Sequence, residues 1–494
     1  MRHKVLEILK TFSPEEIKQF GIFLNSTYCN KSKRVSRLFN SLINFYPDFD
    51  SDSLTDELLS KDISPSLIYK CSTMKVIFSK LLKAAENYLI INNILDKKFE
   101  ANDILRAELF KRKLFKFIGS NLRDSEKELE SNIGFDAYYY INKFRLATDK
   151  SNLFYIVKPQ HNKNSIFSDI NIVNERGRYL IYFFVTEMIK EYDNLITMQS
   201  KFNPGSDSGF ILDFFERIDF LELVNYLIKN SESKKYSGIF KTYLALLNAF
   251  RNFKNEEYYF EYRKQIIKNV NIFSMDERRF HFSRIMKYCI LKRKAVLTST
   301  NFDNELLKIY SYILKNEFYK SSVSDYIPAE LFRNILLLGL RLKKYRWVID
   351  FIKKYYKKLN PKRRKNIYNY SLAEYYFNRK MYKEALPYFH KVIPEDFMFK
   401  MDLKNLLLIA HFELKNYESA LSLIDSYYHF LSKDKTLSIA QKKIYKSFAN
   451  AVHRLIIEKT SPNKSFNYTL ELSLKDDFPY KEWVNKKILE MSIK

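Results

Sequence analysis

Apolar positions at helical spacing recur at nearly constant intervals between residues 331 and 431. Each set has a tyrosine, a second apolar residue three positions later and a third seven positions later. The sets are Tyr345, Val348 and Ile352; Tyr382, Ala385 and Phe389; and Tyr417, Ala420 and Ile424. Residues with this spacing lie on one side of an α-helix, so each set predicts one buried helical face. The tyrosines are 37 and then 35 residues apart, an interval with room for two helices per unit.

A second apolar segment precedes these faces. It contains Ile335-Leu336 before the first set and Leu372-Ala373 before the second. The combined pattern resembles the tetratricopeptide (TPR) repeat, a helix-turn-helix unit of about 34 residues. The resemblance is closest in residues 331–431. Three positions depart from the pattern: Val348 replaces a small residue, Leu408 stands in the place of Ala373, and Gly339 stands in the place of Tyr376. The resemblance implies a stack of helical hairpins whose groove holds a peptide or a partner helix.

Glycine and proline are scarce, at 8 and 11 of the 494 residues. Sheet proteins need many turns rich in these residues, whereas helices joined by short polar loops do not. The sequence therefore predicts an all-α protein. We expect an N-terminal helical bundle in residues 1–100, a middle helical segment in 101–204, and a TPR-like α-solenoid with C-terminal capping helices in 205–494.

Local signals indicate several helix ends. Ser13-Pro14-Glu15-Glu16 has the order of a capping box with proline at the first helical position, and predicts a helix start. Ser64-Pro65 predicts another. We expect the last helix of the chain to pack Trp483 and Ile488 against the final repeat.

Cysteine usage and hydropathy indicate the compartment. No run of 18 or more apolar residues occurs, so we expect no membrane span. Cys29, Cys71 and Cys289 are odd in number and far apart, and they predict neither a disulfide framework nor a CxxC metal or redox motif. The cytoplasm, a reducing compartment, fits this pattern best.

Motifs for catalysis or cofactor binding are absent from the sequence. It contains no Gly-rich phosphate loop, no GxSxG or HExxH motif, and no His/Cys cluster with metal-ligand spacing. Asp425 and His429 are one helical turn apart, and we interpret them as an ordinary surface pair. We therefore expect no catalytic, cofactor-binding or metal-binding residues, no cofactor and no enzymatic activity.

Positive charge is concentrated between Arg341 and Lys365. These 25 residues contain twelve Lys or Arg and one acid, Asp350, whereas the net charge of the whole chain is +27. An A/T-rich coding sequence would also produce many solvated lysines. A binding surface would instead combine cations that contact acidic groups with Trp347 and Tyr356, flat rings that can stack on bases. The candidate binding residues are Lys343, Lys344, Arg346, Trp347, Lys354, Lys358, Lys362, Arg363, Arg364 and Lys365.

Two functions fit these observations. The first is a cytoplasmic interaction scaffold without enzymatic activity, which binds a protein or peptide through its helical repeats. The alternative is an RNA- or DNA-binding helical-repeat protein that uses the 341–365 surface. The sequence does not indicate an oligomeric state.

Overall fold

The computed structural model describes most of the chain, and all regular structure in the described part is helical. The described residues are 3–50, 54–63, 71–131, 134–157, 163–201, 209–293, 299–321, 324–393, 397–434, 439–460 and 478–492. They form 23 α-helices and two short 3-10 helices, without a β-strand. The predicted all-α class is confirmed.

The chain divides into two compact units, Met1–Phe214 (unit 1) and Phe215–Lys494 (unit 2). The division into three parts that the sequence suggests stays a prediction. The helices of unit 1 are α1 Lys4–Leu9, α2 Pro14–Asn25, α3 Lys33–Ile43, α4 Asp56–Ile63, α5 Cys71–Asp96, α6 Lys98–Lys111, α7 Phe115–Ser131, α8 Ala137–Val157 and α9 Lys163–Lys201. Helix α10, Gly209–Arg217, crosses the boundary between the units.

Helices α1 to α5 enclose one apolar core, with Phe20 of α2 fully buried in it. The capping box predicted at the start of α2 is confirmed. The Ser13 backbone N–H donates to Glu16 Oε2 at 2.7 Å, and the Glu16 backbone N–H donates to Ser13 Oγ at 3.2 Å. Both bonds satisfy N–H groups that have no partner within the helix. The helix start predicted at Ser64-Pro65 lies outside the described residues.

Helices α6 to α9 pack consecutively, each on the next. Arg106 of α6 is fully buried and joins three of these helices. Its Nη2 donates to Asp103 Oδ1 of the same helix at 2.8 Å, and its Nη1 donates to Asn121 Oδ1 of α7 at 2.8 Å. Its Nε donates to Asp149 Oδ2 of α8 at 2.6 Å. Because a buried charge is costly unless it is paired, this network explains why the fold tolerates the arginine.

Unit 2 consists of consecutive antiparallel helices. They are α11 Phe220–Lys229, α12 Lys234–Arg251, α13 Glu257–Asn269, α14 Met275–Arg293, α15 Phe302–Lys315, α16 Ala329–Arg341, α17 Tyr345–Tyr355, α18 Pro361–Asn378, α19 Tyr382–Phe389, α20 Phe397–Glu413, α21 Tyr417–Lys433, α22 Ile439–Thr460 and α23 Lys481–Ser492. The 3-10 helices are Val270–Ile272 and Tyr356–Lys358. Three hairpins, α16–α17, α18–α19 and α20–α21, cover the region with the repeated pattern.

These three hairpins share one turn geometry. Lys343, Lys380 and Lys415, each two residues before the tyrosine that begins the second helix, have φ values of 55°, 61° and 61°. The following residue donates its backbone N–H to a carbonyl five residues earlier, at 3.0, 2.9 and 2.9 Å. This is the Schellman arrangement, which satisfies carbonyls at a helix C-terminus. Lys113 forms the same turn between α6 and α7 in unit 1, with φ of 57°.

Where α16 crosses α17, the small residue, Gly339, lies on the first helix and the larger one, Val348, lies on the second. In the next two hairpins the small residue, Ala385 or Ala420, is on the second helix and is fully buried. In the first hairpin the second helix carries Val348, and a Cβ placed on Gly339 would lie 2.6 Å from Val348 Cγ2. The glycine therefore gives the valine its space. The departures at Gly339 and Val348 therefore have one steric cause.

Helix α23 packs on the final hairpin as expected. Trp483 Nε1 donates to Glu413 Oε1 at 2.7 Å, and Lys487 Nζ lies 2.9 Å from the same oxygen. Trp483 and Ile488 are partly buried against a core cluster that includes Phe412 and Phe448.

Candidate partner-binding surface

The basic segment Arg341–Lys365 covers the end of α16, all of α17 and the first turn of α18. Its cations form two groups. The turn cations, between α16 and α17, are Lys343, Lys344 and Arg346. The junction cations, where α17 meets α18, include Lys353, Lys357, Lys362 and Lys365. Helix α17 has 11 residues. At 1.5 Å per residue its ends are about 16 Å apart, and Arg346 and Lys353, the nearest members of the two groups, are about 10 Å apart along its axis.

Two cations of the segment form ion pairs within the fold. Arg341 Nη2 lies 2.9 Å from Asp303 Oδ1, and Lys358 Nζ lies 3.1 Å from Glu317 Oε1. Hydrogen bonds from Lys320 and Lys358 lower the pKa of Glu317 to about 2. These two cations are therefore already neutralised by neighbouring carboxylates.

Arg364 has a structural role. Its Nη2 donates to the backbone carbonyls of Lys357 at 2.7 Å and Leu359 at 3.1 Å, so it holds the chain between α17 and α18. Lys354 is exposed, with its Nζ 5.2 Å from the ring centroid of Tyr355. Replacing Arg364 would disturb the junction itself, and that residue is unsuitable for testing a surface charge.

Eight cations of the segment are exposed and form no ion pair with any described residue; Lys354 lies over the ring of Tyr355, and the other seven have neither kind of contact. Arg363 is exposed too, but it has interactions within the chain. The one acid of the segment, Asp350, is exposed without a described ion pair. The seven cations, called the basic surface below, are Lys343, Lys344, Arg346, Lys353, Lys357, Lys362 and Lys365. Solvated charges without a partner remain available to an acidic ligand.

The two aromatic rings of the segment are packed against other rings. Trp347 lies parallel to Phe351, with ring centroids 5.5 Å apart, and a Cβ placed on Gly339 would lie 3.2 Å from Trp347 Cζ3. Tyr356 lies 4.9 Å from the ring of Tyr368. The sequence indicates both as flat rings that can stack on bases. In the structure Trp347 helps to fill the interface between α16 and α17, which reduces the surface it could offer to a base.

A polar cluster that sequence reasoning missed joins α16, α18 and α20. Arg333 forms an ion pair with Asp402, and its Nε donates to the Tyr370 hydroxyl at 3.4 Å. The Tyr370 hydroxyl donates to Glu374 Oε1 at 2.8 Å, and Asn378 Nδ2 donates to Glu374 Oε2 at 3.1 Å. Burial raises the pKa of Glu374 to about 7. Only the i, i+4 pair within α18 was visible as a signal in the sequence.

Lys380 and Lys415 were also missed as candidate binding residues. Both are exposed without a described ion pair, and both occupy the turn position of Lys343 in the next two hairpins. The signal that could have found them is a lysine two residues before each tyrosine of the repeated pattern.

The described residues offer little for metal or thiol chemistry. Within them no three His, Cys, Asp or Glu side chains converge in a way that could hold a metal ion. The thiol of Cys289 is fully buried, which raises its pKa to about 12. No helix in the described part of the chain combines the length and apolar character needed to cross a bilayer.

Comparison with known proteins gives no relative: no family model, no curated protein and no solved structure matches this chain.

Proposed function

We propose that this chain is an interaction scaffold without enzymatic activity, built on TPR-like repeats, which binds an acidic protein or peptide. The observation that carries the proposal is the basic surface: seven exposed cations on one hairpin and its junction, none with an ion-pair partner among the described residues. An acidic partner would supply the missing counter-charges, and complementary charge gives both selectivity and fast association.

The TPR-like assignment is supported by geometry that recurs in three consecutive hairpins. Each has a turn lysine with positive φ, the Schellman hydrogen bonds and a tyrosine that begins the second helix. The exchange between Gly339 and Val348 explains why the first hairpin departs from the pattern. Stacked hairpins of this kind present extended surfaces to partners.

The packing of the aromatic rings favours a protein partner over a single-stranded nucleic acid. Binding of single strands relies on rings on which bases stack. Trp347 and Tyr356 are instead engaged with Phe351 and Tyr368. The RNA- or DNA-binding alternative keeps only the phosphate contacts that the exposed cations could make.

A cytoplasmic location is part of the proposal. Cys29, Cys71 and Cys289 are unpaired thiols in the structure. Such thiols persist in a reducing compartment.

Fluorescence anisotropy with defined probes tests the proposal. The probes are a labelled Glu-rich peptide, an oligo-dT strand and a DNA duplex, each at ~50 mM and ~200 mM salt. In the seven-site variant, all residues of the basic surface become Gln. A matched control replaces seven exposed lysines of unit 1 by Gln: Lys10, Lys31, Lys33, Lys75, Lys80, Lys116 and Lys127.

We expect the wild type to bind the Glu-rich peptide and the seven-site variant to bind it at least ~10-fold more weakly, since each exposed ion pair contributes a few tenths to one kcal/mol. The control has the same net charge and should keep its affinity. Equal loss in both variants would show unspecific attraction and defeat the proposal. Preferential binding of the strand or duplex, lost in the seven-site variant, would establish the nucleic-acid alternative.

A further inference from the structure

Lys343, Lys380 and Lys415, the three turn lysines with a left-handed backbone conformation, lie along one edge of unit 2. This edge is called the turn edge below. The first and second turns are adjacent, because the hydroxyl of Tyr345, the first residue of α17, donates to the carbonyl of Asn378, the last residue of α18, at 3.0 Å. The second and third turns are adjacent as well. Phe377, beside the second turn, packs against the core cluster that contains Phe412, beside the third turn.

This turn edge carries more positive than negative charge. Its two exposed acids are Glu384 and Glu418, whereas Glu413 is occupied by Lys487 of α23. Its exposed cations without a described ion pair are Lys343, Lys344, Arg346, Arg379, Lys380, Lys383 and Lys415. Four of the seven lie outside the 341–365 segment that the sequence identifies. The excess of cations therefore follows the three turns and does not end with the first hairpin.

We propose that the turn edge binds an extended acidic polypeptide segment that runs across all three hairpins. The proposal rests on the proposed function and specifies its partner. Packed helices are ~8–10 Å apart, so cations on successive turns recur at about that interval. An extended chain rises ~3.3 Å per residue, and acidic residues at every third position match the interval. A segment with that spacing could face Lys343, Lys380 and Lys415 in turn.

The aromatic residues beside the lysines favour a polypeptide over a single-stranded nucleic acid. Tyr345 uses its hydroxyl within the fold, as described above. The ring of Tyr382 lies 5.4 Å from that of Phe377, and the ring of Tyr417 lies 5.8 Å from that of Phe412. All three tyrosines at this edge are thus packed between helices, and are not free platforms for bases.

The triple variant K343G/K380G/K415G tests the proposal without endangering the fold. Glycine adopts positive φ readily, so the three turns should form at least as well as with lysine. We expect full-length K343G/K380G/K415G to melt no lower than the wild type. It should bind a labelled peptide with Glu at every third position ~10-fold more weakly, because three exposed ion pairs are lost. The matched control K229Q/K241Q/K268Q removes three exposed charges elsewhere in unit 2 and should keep the wild-type affinity within about twofold.

Each outcome has a distinct meaning. If K343G/K380G/K415G binds as the wild type does while K357Q/K362Q/K365Q loses affinity, the partner lies at the junction; the turn-edge proposal is then wrong and the proposed function stands. If the wild type binds no acidic peptide, the proposed function itself fails. Tighter binding of oligo-dT or a duplex than of the peptide would overturn the turn-edge proposal. A clearly lower melting temperature of K343G/K380G/K415G would contradict the left-handed turns on which it depends.

Discussion

Glu374 provides a direct test of the structure, because it is a carboxyl group buried where three hairpins meet. Arg333, Tyr370, Asn378 and Asp402 surround it, and 5% of its surface is exposed. Burial penalises its charged form, whereas the hydrogen bond from Tyr370 favours that form. The perturbation is Glu374→Gln, which keeps the shape of the side chain and removes its ionisation.

The magnitude follows from the shift in pKa. Burial raises the pKa of Glu374 from 4.5 to about 7, so the folded state holds this proton more tightly than the unfolded state does. The free energy of unfolding should therefore fall as the pH rises from about 4.5 to about 7 and then level off. One pKa unit corresponds to ~1.36 kcal/mol, so this one group accounts for a loss of about 3 kcal/mol.

Urea unfolding followed by tryptophan fluorescence measures this loss, since both tryptophans of the chain, Trp347 and Trp483, belong to unit 2. The quantity of interest is the difference in the free energy of unfolding between Glu374→Gln and wild type, measured at pH 8 and at pH 5. The packing cost of the substitution is the same at both pH values and cancels. We expect the variant to gain about 2.5 kcal/mol relative to wild type between the two pH values, because part of the titration of the unfolded chain lies below pH 5.

The control is Glu384→Gln, on the exposed face of α19. Water solvates this carboxylate in the folded and the unfolded chain, so the control should show no comparable gain. A gain below about 1 kcal/mol for Glu374→Gln would refute the reasoning, because it would mean that the charged form of Glu374 is stabilised as well in the fold as in water.

Three further predictions concern packing and ligands. Ala385→Leu should destabilise unit 2 by ~1–3 kcal/mol in the same urea assay, because it overpacks a fully buried crossing; Lys383→Leu, on the exposed side, is the control and should be nearly silent. Gly339→Ala should cost ~1–3 kcal/mol, and Val348→Ala in the same chain should recover part of that loss, because the added Cβ meets Val348 Cγ2. A metal chelator should leave the melting temperature unchanged, and a fall of several degrees would reveal a ligand set not recognised in the described residues.

The sequence predicts the local features of this fold well, because they depend on residues close together in the chain. The capping box at Ser13 and the buried faces around Ala385 and Ala420 follow from spacings of three to seven residues. The scarcity of glycine and proline is enough to predict an all-α class. The docking of Trp483 could be predicted because a large aromatic residue on a terminal helix needs an apolar neighbour.

Features that depend on two or more helices could not be predicted in the same way. Gly339 looked like a defect of the repeat until the structure brought it against Val348. Glu374 has the pattern of an ordinary helical glutamate, because its hydrogen-bond partners Tyr370 and Asn378 lie on its own helix. The ion pair of the cluster comes from α16 and α20, which the sequence does not bring together. The basic segment, Arg341–Lys365, appeared to be one surface in the sequence, whereas the length of α17 separates its charges into two groups.

The turn lysines connect stability with the proposed binding. A non-glycine residue in the left-handed region costs ~1–2 kcal/mol, and a cation near a helix C-terminus regains ~0.3–1 kcal/mol. Glycine at Lys343, Lys380 and Lys415 would avoid the remaining cost at every turn. The chain instead has an exposed cation without a described ion pair at each of these positions. On the turn-edge proposal, a side chain that costs stability in the free protein gains free energy in a complex with an acidic segment.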